Sequence, residues 1–406
     1  MTGGAPAAAA MKSLAHFGAK PRFARQVPCG QRHWPDWLAY RTIFDDIFDR
    51  QYYTNHGPLA QKLEARFAHD LGVRHAICVT NEYIALALCC QALRLSGPIV
   101  VPAHAPLRTV QPLNWASATP LFCDVDPQTG LLAAAQVEAV LAGQSACAIL
   151  AHNPWCDACD VAGLEALAAR AGAPLIFDSS QGFGCRIGQR PLGSLGSVDV
   201  ISLQAEQIVS AGEGAIVGTN DDALAAHIRN IRSNYGMGPP VPVVKTGNGR
   251  LSEGQAALAL YNLDRFAENL ARNHVRRLRY ADGLARIPGL KMRPSQGVTC
   301  TNAQNMVVLL DEEQFGISRD ELVKLLRAEN IDAGSGFAAA PGQMPCELYG
   351  QSLAEFPATR DWCARTLELP MHISFGDAEI DVLIETLDLI HRCAGDVRRK
   401  LAAVPA

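Results

Sequence analysis

The amino-acid sequence predicts an α/β protein in which a large, mostly parallel sheet is followed by a smaller α+β region. From residue 75 onward, short β-rich runs alternate with helical stretches, and the β-rich runs are continuously apolar. Such strands are typical of parallel sheets that are covered by helices on both faces. After about residue 265 the alternation ends, and a long basic helix leads into a single strand and further helices.

The elements of the large sheet can be followed in order. The strand "HAICVT" precedes "EYIALALCCQALRL", whose apolar positions recur at helical spacing. The strands "PIVVPA", "TPLFCDVD", "ACAILAHN" and "APLIFDSS" each precede a helical or Gly-rich segment, and "VDVISL" and "GAIVGT" follow close together. We therefore predict seven strands between about residues 50 and 265. Ligands of such sheets bind beyond the carboxyl ends of the strands, so the residues that end each strand are the candidate site.

The length of the chain and the change in its sequence pattern near residue 265 predict three parts. These are an N-terminal tail and arm at residues 1–34, a large domain at 35–264 and a small C-terminal domain at 265–406. A chain of 406 residues is too long for one ordinary core. The first twenty residues are rich in Ala and Gly and lack the basic region of a signal peptide. We expect a disordered tail there.

Composition excludes some functions and favours a compartment. The formal net charge of -4 gives no electrostatic reason to expect nucleic acid or an anionic membrane surface as a partner. The thirteen cysteines are scattered through apolar runs, which is typical of reduced, buried thiols and favours the cytoplasm. Cys156 and Cys159 form one Cys-x-x-Cys pattern in "WCDAC". This single pattern is a weak redox signal, and two incidental thiols in a loop are the favoured interpretation.

Several segments, in fixed order, resemble the DegT/StrS family of sugar aminotransferases over roughly residues 35 to 390. The segments are "YYTNHGPLAQKLEARFAHDLGVRHAICVTN", "TPLFCDVDPQTG", "FDSSQGFG", "GSLGSVDVISL", "GEGAIVGTNDD" and "LSEGQAALA". The resemblance implies the fold of type I pyridoxal-phosphate (PLP) enzymes. It also implies a homodimer that acts on nucleotide-linked keto-sugars or aminocyclitols.

Four positions match the cofactor site that the resemblance implies. Asp178 falls where an aspartate pairs with the pyridine nitrogen of PLP, and Gln181 where a side chain contacts the ring hydroxyl. Ser202 falls where a hydroxyl binds the phosphate, and Asn248 where an asparagine reaches the phosphate from the other subunit. The alternative is that these residues are inherited with the fold and serve no cofactor.

The position of the family's covalent lysine falls on Gln207, counted back from the Gly-Glu-Gly turn at 212–214. No lysine lies between Lys62 and Lys245. A glutamine amide is not basic, so it cannot form a Schiff base or move a substrate proton. Lys245 lies in a loop that reaches the neighbouring site in the family. A lysine acting in trans is one interpretation, and an exposed loop lysine is the favoured one.

Two further positions differ from the pattern that the resemblance implies. At the phosphate-binding turn, Asn81 is followed by Glu82 and Tyr83 in place of a glycine and a hydroxyl residue. A carboxylate at a helix start repels a phosphate from the same place. At the position of the ring that stacks on PLP the sequence has Ala105 and Pro106. Together with Gln207, these changes lead to the prediction that the chain carries no PLP, with non-covalently bound PLP or pyridoxamine phosphate (PMP) as the alternative.

The predicted site follows from these residues. Asp178 and Glu82 are the predicted acid–base pair, with His104 as helper. The predicted substrate-binding residues are Tyr83, His152, Gln181, Ser202, Gln207 and Asn248. No metal is expected, because no tight ligand spacing appears.

Three functions stay open for this site. The first is a PLP-independent enzyme doing acid–base chemistry on a small biosynthetic metabolite. The second is an enzyme that lacks the lysine and uses PLP or PMP on a nucleotide-sugar. The third is a non-catalytic protein that binds a ligand or pairs with an active paralogue in a heterodimer. In each case we expect a two-fold dimer, whose interface buries the apolar face around "GQAALALYNL".

Overall fold

The predicted seven-stranded sheet is present in the computed structural model, which describes residues 10–31, 35–233, 238–334, 337 and 343–402. The spatial order of its strands is β1-β9-β8-β5-β4-β2-β3. Only β9 runs antiparallel to its neighbours. The strands are β1 (His75–Val79), β2 (Gly97–Pro102), β3 (Ala118–Cys123), β4 (Ala148–His152), β5 (Leu175–Asp178), β8 (Val198–Ser202) and β9 (Ala215–Thr219). The hairpin of β6 (Arg186–Ile187) and β7 (Arg190–Pro191) follows β5. The predicted α/β fold class is confirmed.

Helices cover both faces of this sheet. They are α1 (Trp37–Arg50), α2 (Pro58–Leu71), α3 (Glu82–Ala92), α4 (Leu107–Val110), α5 (Ala134–Leu141), α6 (Val161–Ala171), α7 (Asp222–Ser233) and α8 (Glu253–Asp264). Successive strand residues point to opposite cores: Ile149 packs with α5 and α6, whereas Leu150 packs with α3 and α7. Both faces are therefore apolar, which explains the continuous apolar strands in the sequence.

A second, antiparallel sheet of three strands lies in the C-terminal region. Its strands are β10 (Leu290–Met292), β11 (Met306–Leu310) and β12 (Thr366–Leu369), with β11 in the middle. The accompanying helices are α9 (Phe266–Leu284), α10 (Glu312–Phe315), α11 (Arg319–Ala328), α12 (Pro345–Leu348), α13 (Pro357–Arg365), α14 (Asp377–Arg392) and α15 (Ala394–Ala402). This sheet has its own apolar core. The boundary at residues 264 and 265 stays a prediction.

The N-terminal segment corrects one expectation. Residues 1–9 of the expected disordered tail lie outside the described residues, but the chain is folded from Ala10 onward. Leu14 is buried in the C-terminal core, and the buried carboxylate of Glu329 accepts hydrogen bonds from the amides of Ala15 and Arg22. An Ala/Gly-rich composition does not show such distant partners, so the prediction of disorder was wrong for this part.

Another expectation concerned the surface of α8. The apolar residues of "GQAALALYNL" are mostly buried within the chain itself, against α2 and the sheet. They are therefore not available to a partner. A group of exposed large apolar side chains lies instead on α1 and just after it, including Trp37, Leu38 and Phe48, and the others are spread over separate parts of the chain. Across the part of the chain that is described, no helix is both long and apolar enough to span a bilayer.

Candidate active-site cleft

The carboxyl ends of β1, β4 and β5 bring three predicted site residues to one edge of the sheet. His152 ends β4 and Asp178 ends β5, and they are direct partners in the parallel register. Glu82 is the first residue of α3, which follows β1. All three side chains are buried. The arrangement is the one expected where ligands bind to such sheets.

Asp178 is a well-anchored carboxylate. Its Oδ2 accepts a hydrogen bond from Thr109 Oγ1 at 2.5 Å and lies 3.1 Å from His152 Nδ1. Its Oδ1 accepts from the backbone amide and the hydroxyl of Ser180. Burial disfavours the charge, but His152 and the hydroxyl donors outweigh it and hold the pKa of Asp178 well below its ordinary value. Asp178 is therefore ionised at neutral pH.

Glu82 is buried with far fewer partners. The cap of α3 is Asn81, whose side chain accepts from the amide of Ile84 at 2.9 Å, so Glu82 is not held as the helix cap. Its Oε1 accepts from Arg108 Nε at 3.1 Å, whereas its Oε2 is buried without a hydrogen-bond partner. A buried acceptor without a donor is costly when it is charged.

The electrostatics of the two carboxyl groups differ accordingly. Burial raises the pKa of Glu82 to about 7, and the negative charges of Asp178 and Glu206 add to this effect while Arg108 opposes it. Glu82 can thus gain or lose a proton near neutral pH, whereas Asp178 keeps its charge. Burial also raises the pKa of Glu368, which lies near Arg108 and accepts from Asn305.

His104 is surrounded by rings. Its Nδ1 donates to the carbonyl of Gly130 at 3.0 Å, which leaves Nε2 buried without a partner. Burial lowers the pKa of His104 to about 4, so the ring is neutral at neutral pH. The rings of Trp155 and Phe337 lie with centroids 5.5 and 5.0 Å from it, and these two rings stack on each other at 4.6 Å.

Trp155 was not among the predicted site residues. Its φ is 51°, and that of Cys156 is 68°, so two successive side-chain-bearing residues adopt the left-handed conformation. This turn directs the indole ring toward His104 and lets the amide of Trp155 donate to Gln181 Oε1 at 2.8 Å. Nothing in the local sequence pattern indicates a left-handed tryptophan, so the sequence carried no usable signal.

Gln207 has a fixed orientation. The amide of Ile208 donates to Gln304 Oε1 at 2.7 Å, so the other end of the Gln304 side chain is its NH₂ group. That group donates to Gln207 Oε1 at 2.8 Å. The NH₂ group of Gln207 therefore points away from Gln304, and it is buried without a partner. Gln207 therefore presents one NH₂ group, with two N–H donors, that has no partner among the described residues.

The other predicted residues divide between the interior and the surface. Ser202 is buried and its hydroxyl accepts from the amide of Gln204. Tyr83 is half-buried and packs edge-on against Trp115. Asn248 is exposed and accepts from Arg250.

Three further candidates are separated from the site or chemically unsuited to the expected role. Lys245 is exposed and lines a different cavity, of about 630 Å³, together with Arg94 and His227. Cys156 and Cys159 are buried, and burial raises the pKa of both thiols, which suits inert cysteines. Among the described residues, no three His, Cys, Asp or Glu side chains are placed to hold a metal ion.

The described residues fit PLP at two points. Asp178 is the buried, ionised carboxylate that a protonated pyridine nitrogen needs. The free NH₂ group of Gln207 is a donor in need of an acceptor, such as an aldehyde or phosphate oxygen of PLP. At the start of α3, Glu82 is not a fixed negative charge, because it pairs with Arg108 and takes up a proton near neutral pH.

The chain is similar to known aminotransferases in both sequence and structure. The model of the DegT/DnrJ/EryC1/StrS aminotransferase family matches residues 41–388. GDP-perosamine synthase of Caulobacter vibrioides is 29% identical over 353 residues, covering 85% of this chain and 93% of that protein. The dTDP-4-amino-4,6-dideoxy-D-glucose transaminase of Escherichia coli is 25% identical over 368 residues, covering 89% of this chain and 98% of that protein. The structure of DesI in the presence of its TDP-sugar product aligns with a TM-score of 0.89 and 32% identity, covering 97% of this chain and 100% of that one.

These comparisons overturn the prediction that the chain carries no PLP. The matching family is one of aminotransferases, and one of the relatives is a transaminase, which points to PLP as the cofactor. The prediction was wrong because it treated Glu82 as a permanent charge and Gln207 as a lost contact. Glu82 is paired with Arg108, and Gln207 has a donor to offer.

Proposed function

Because the chain belongs to the DegT/DnrJ/EryC1/StrS aminotransferase family, we propose that it is a PLP- or PMP-dependent enzyme acting on a nucleotide-linked sugar, with a cofactor that is not bonded covalently to residue 207. The anchored, ionised carboxylate of Asp178 carries this proposal. Two relatives, a transaminase and a synthase of nucleotide-linked amino sugars, support the substrate class.

Two residues would hold the cofactor ring and its substituents. Asp178 would pair with the ring nitrogen, and His152 and Thr109 keep its carboxylate in place. The NH₂ group of Gln207 would donate to an oxygen of the cofactor, in the orientation that Gln304 imposes. When bound, PLP supplies an electron sink for negative charge that develops on the substrate.

Ligand binding would change the protonation of one of the chain's own carboxyl groups. Glu82 is the group whose pKa, about 7, suits both gain and loss of a proton at neutral pH. Asp178 stays ionised, so it acts as a counter-charge rather than as an acid. His104 is neutral, and its free Nε2 accepts a hydrogen bond without donating one. The predicted acid–base pair thus becomes one titrating group and one fixed charge.

We also propose a homodimer in the cytoplasm. The exposed apolar side chains of Trp37, Leu38 and Phe48 on α1 support an interface, because a helix face of this kind is costly in water. The exposed loop that carries Lys245 and Asn248 has the polar character of a segment that contacts a neighbouring subunit. Light scattering at micromolar concentration tests the dimer, and a monomer would contradict it.

The cofactor proposal is tested by titration with PLP and with PMP, followed by borohydride reduction and mass spectrometry. We expect saturable binding that dialysis reverses and no fixed increase in mass after reduction. Gln207→Lys is the matched control, because its amine can form a reducible bond to PLP. A fixed adduct on a lysine of the unaltered protein would contradict the non-covalent mode. Absence of binding for both PLP and PMP would contradict the proposed function and favour a non-catalytic role.

A further inference from the structure

We propose that Glu82 and Arg108 form an oxyanion site at the start of α3 that admits a phosphate group only together with a proton on Glu82. The proposal rests on the proposed function for the identity of the natural ligand, the phosphate group of PLP. The geometry itself points to any tetrahedral oxyanion of similar size.

The start of α3 has the elements of an anion site. The helix has 11 residues, and its partial positive charge lies at Glu82. The Asn81 side chain already accepts a hydrogen bond from the amide of Ile84. Arg108 adds a full positive charge there, held in place by the 3.1 Å bond from its Nε to Glu82 Oε1.

Arg108 has donors to spare. Its side chain is 35% exposed, its Nε donates to Glu82, and its two terminal nitrogens make no hydrogen bond to the described residues. A guanidinium with two free NH₂ groups binds a phosphate oxygen pair well. Glu82 thus orients Arg108 and leaves its outer edge available to a ligand.

Glu82 is also the main obstacle to an anion. Its Oε2 is fully buried without a donor, and a second negative charge beside it would raise the cost of its ionisation further. A proton on Oε2 removes this obstacle in two ways. It converts the acceptor without a partner into a donor that a phosphate oxygen can accept from, and it leaves the charge of Arg108 uncompensated. The pKa of Glu82, raised to about 7 by burial, makes this proton easy to add at neutral pH.

The other charges that face this site come from three elements. Asp178 from β5 and Glu206 from the loop after β8 both disfavour the ionised form of Glu82. Glu368 from β12 faces Arg108 and Glu206. Asp178 and Glu368 each have hydrogen-bond donors of their own, from Thr109 and Asn305 respectively. Glu206 also interacts with the charge of Arg108 but makes no hydrogen bond to it in the described structure, so it is the matched control residue.

The experiment measures binding of two probes by isothermal titration calorimetry between pH 6.5 and 8.5. Sulfate keeps its charge over this range, and PLP is the natural candidate. In the unaltered protein we expect the affinity for sulfate to fall about tenfold per pH unit above pH 7, as one coupled proton requires, and the affinity for PLP to fall in the same direction. Titration in buffers of different ionisation enthalpy should show uptake of about one proton at pH 8.

Three variants separate the contributions of the individual residues to binding, and thermal unfolding checks that each variant is folded. Glu82→Gln should bind sulfate with no pH dependence and more tightly than the unaltered protein at pH 8. Glu206→Gln should bind more tightly at every pH but keep the pH dependence. Arg108→Met should bind weakly at every pH.

Two results would overturn the proposal. One is an affinity of the unaltered protein that does not change between pH 6.5 and 8.5, and the other is an unchanged pH dependence in Glu82→Gln. If PLP binds under these circumstances, the site inference fails and the proposed function stands. If PLP binds neither the unaltered protein nor Glu82→Gln at any pH, both fail.

Discussion

Glu64 and Glu82 are buried glutamates on successive helices, α2 and α3, on either side of β1, and they differ in nearly every other respect. Glu64 has a donor at each oxygen: the amide of Cys78 and Arg232 Nη1 at Oε1, and His56 and Arg229 at Oε2. Glu82 accepts one hydrogen bond in the described structure, from Arg108, and the nearby Ser180 hydroxyl also favours its charged form.

This difference is reflected in their ionisation. Burial disfavours the charge of Glu64, but His56, Arg232 and Arg229 outweigh it and lower its pKa to about 2. Burial raises the pKa of Glu82 to about 7. Depth in the protein therefore does not decide whether a buried carboxyl is inert or reactive. The number of hydrogen-bond donors around the carboxyl decides whether it is inert or reactive. Glu64 links α2, β1 and α7 through its donors, whereas Glu82 stays available for chemistry.

The largest expected effect comes from Glu64→Gln. This change leaves the buried guanidinium of Arg232 without its charge partner, which typically costs about 3–5 kcal/mol of stability. Denaturant unfolding of the variant and the unaltered protein measures it. Asp222→Asn, which breaks exposed ion pairs with Arg74 and His75, is the control, and it should unfold at about the same denaturant concentration as the unaltered protein. Equal loss in both variants would contradict a special role for Glu64.

Acid should destabilise the protein through Glu64. The folded state holds this carboxyl ionised down to a pKa of about 2, against 4.5 in the unfolded chain, so its contribution is complete above pH 4.5 and is lost as the pH falls toward 2. The contribution is roughly 3 kcal/mol. The difference in unfolding free energy between the unaltered protein and Glu64→Gln should shrink over this pH range. A constant difference would show that Glu64 titrates normally.

Glu82 should give the opposite dependence at higher pH. Its folded-state pKa of about 7 exceeds the unfolded value of 4.5, so its stabilising contribution is complete below pH 4.5 and is lost as the pH rises to 7. The loss of unfolding free energy is at most roughly 3 kcal/mol, because Arg108 can move to stabilise the charged form of Glu82. Glu82→Gln should remove this decline when unfolding is measured at pH 5, 6 and 7. A decline that persists in the variant belongs to another group.

The smallest expected effect tests whether the number of hydrogen-bond partners also decides the role of a buried amide in the cleft. Gln304 uses its oxygen and its NH₂ group, whereas Gln207 uses only its oxygen. Gln304→Leu frees the Gln207 amide to rotate, so the affinity for PLP should fall about tenfold, or about 1.4 kcal/mol. Fluorescence titration with PLP measures it, and Gln314→Leu at an exposed position is the control. Unchanged affinity would mean that Gln207 does not contact the cofactor.

The fold was predictable because its signals are local or repeated. Continuous apolar strands such as β4 and β8, each followed by a change of pattern, gave the seven-stranded sheet, and fixed motifs gave the family. The closeness of Glu82 and Asp178 was also predictable, since both lie where strands meet helices at one edge of the sheet.

The balance of charges in the cleft was not predictable. Arg108 lies 26 residues after Glu82, and no spacing rule indicates that the two side chains meet. The orientation of Gln207 depends on Gln304, 97 residues later in the chain. Contacts of this kind arise from tertiary packing, so the sequence alone does not reveal the partners of Glu82 and Gln207, and the cofactor prediction was wrong for that reason.

The contact between Glu329 and the N-terminal segment has a consequence for biosynthesis. Glu329 and Ala15 are 314 residues apart in the chain. At the usual speed of translation, roughly 15 to 60 s pass between their appearances outside the ribosome. During that interval Leu14 has no core to enter, because the β11 and α11 residues that surround it have not yet been made. The segment around Ala15 is thus expected to dock long after its own synthesis, and protease sensitivity near Ala15 in stalled nascent chains should disappear only once residue 329 has emerged.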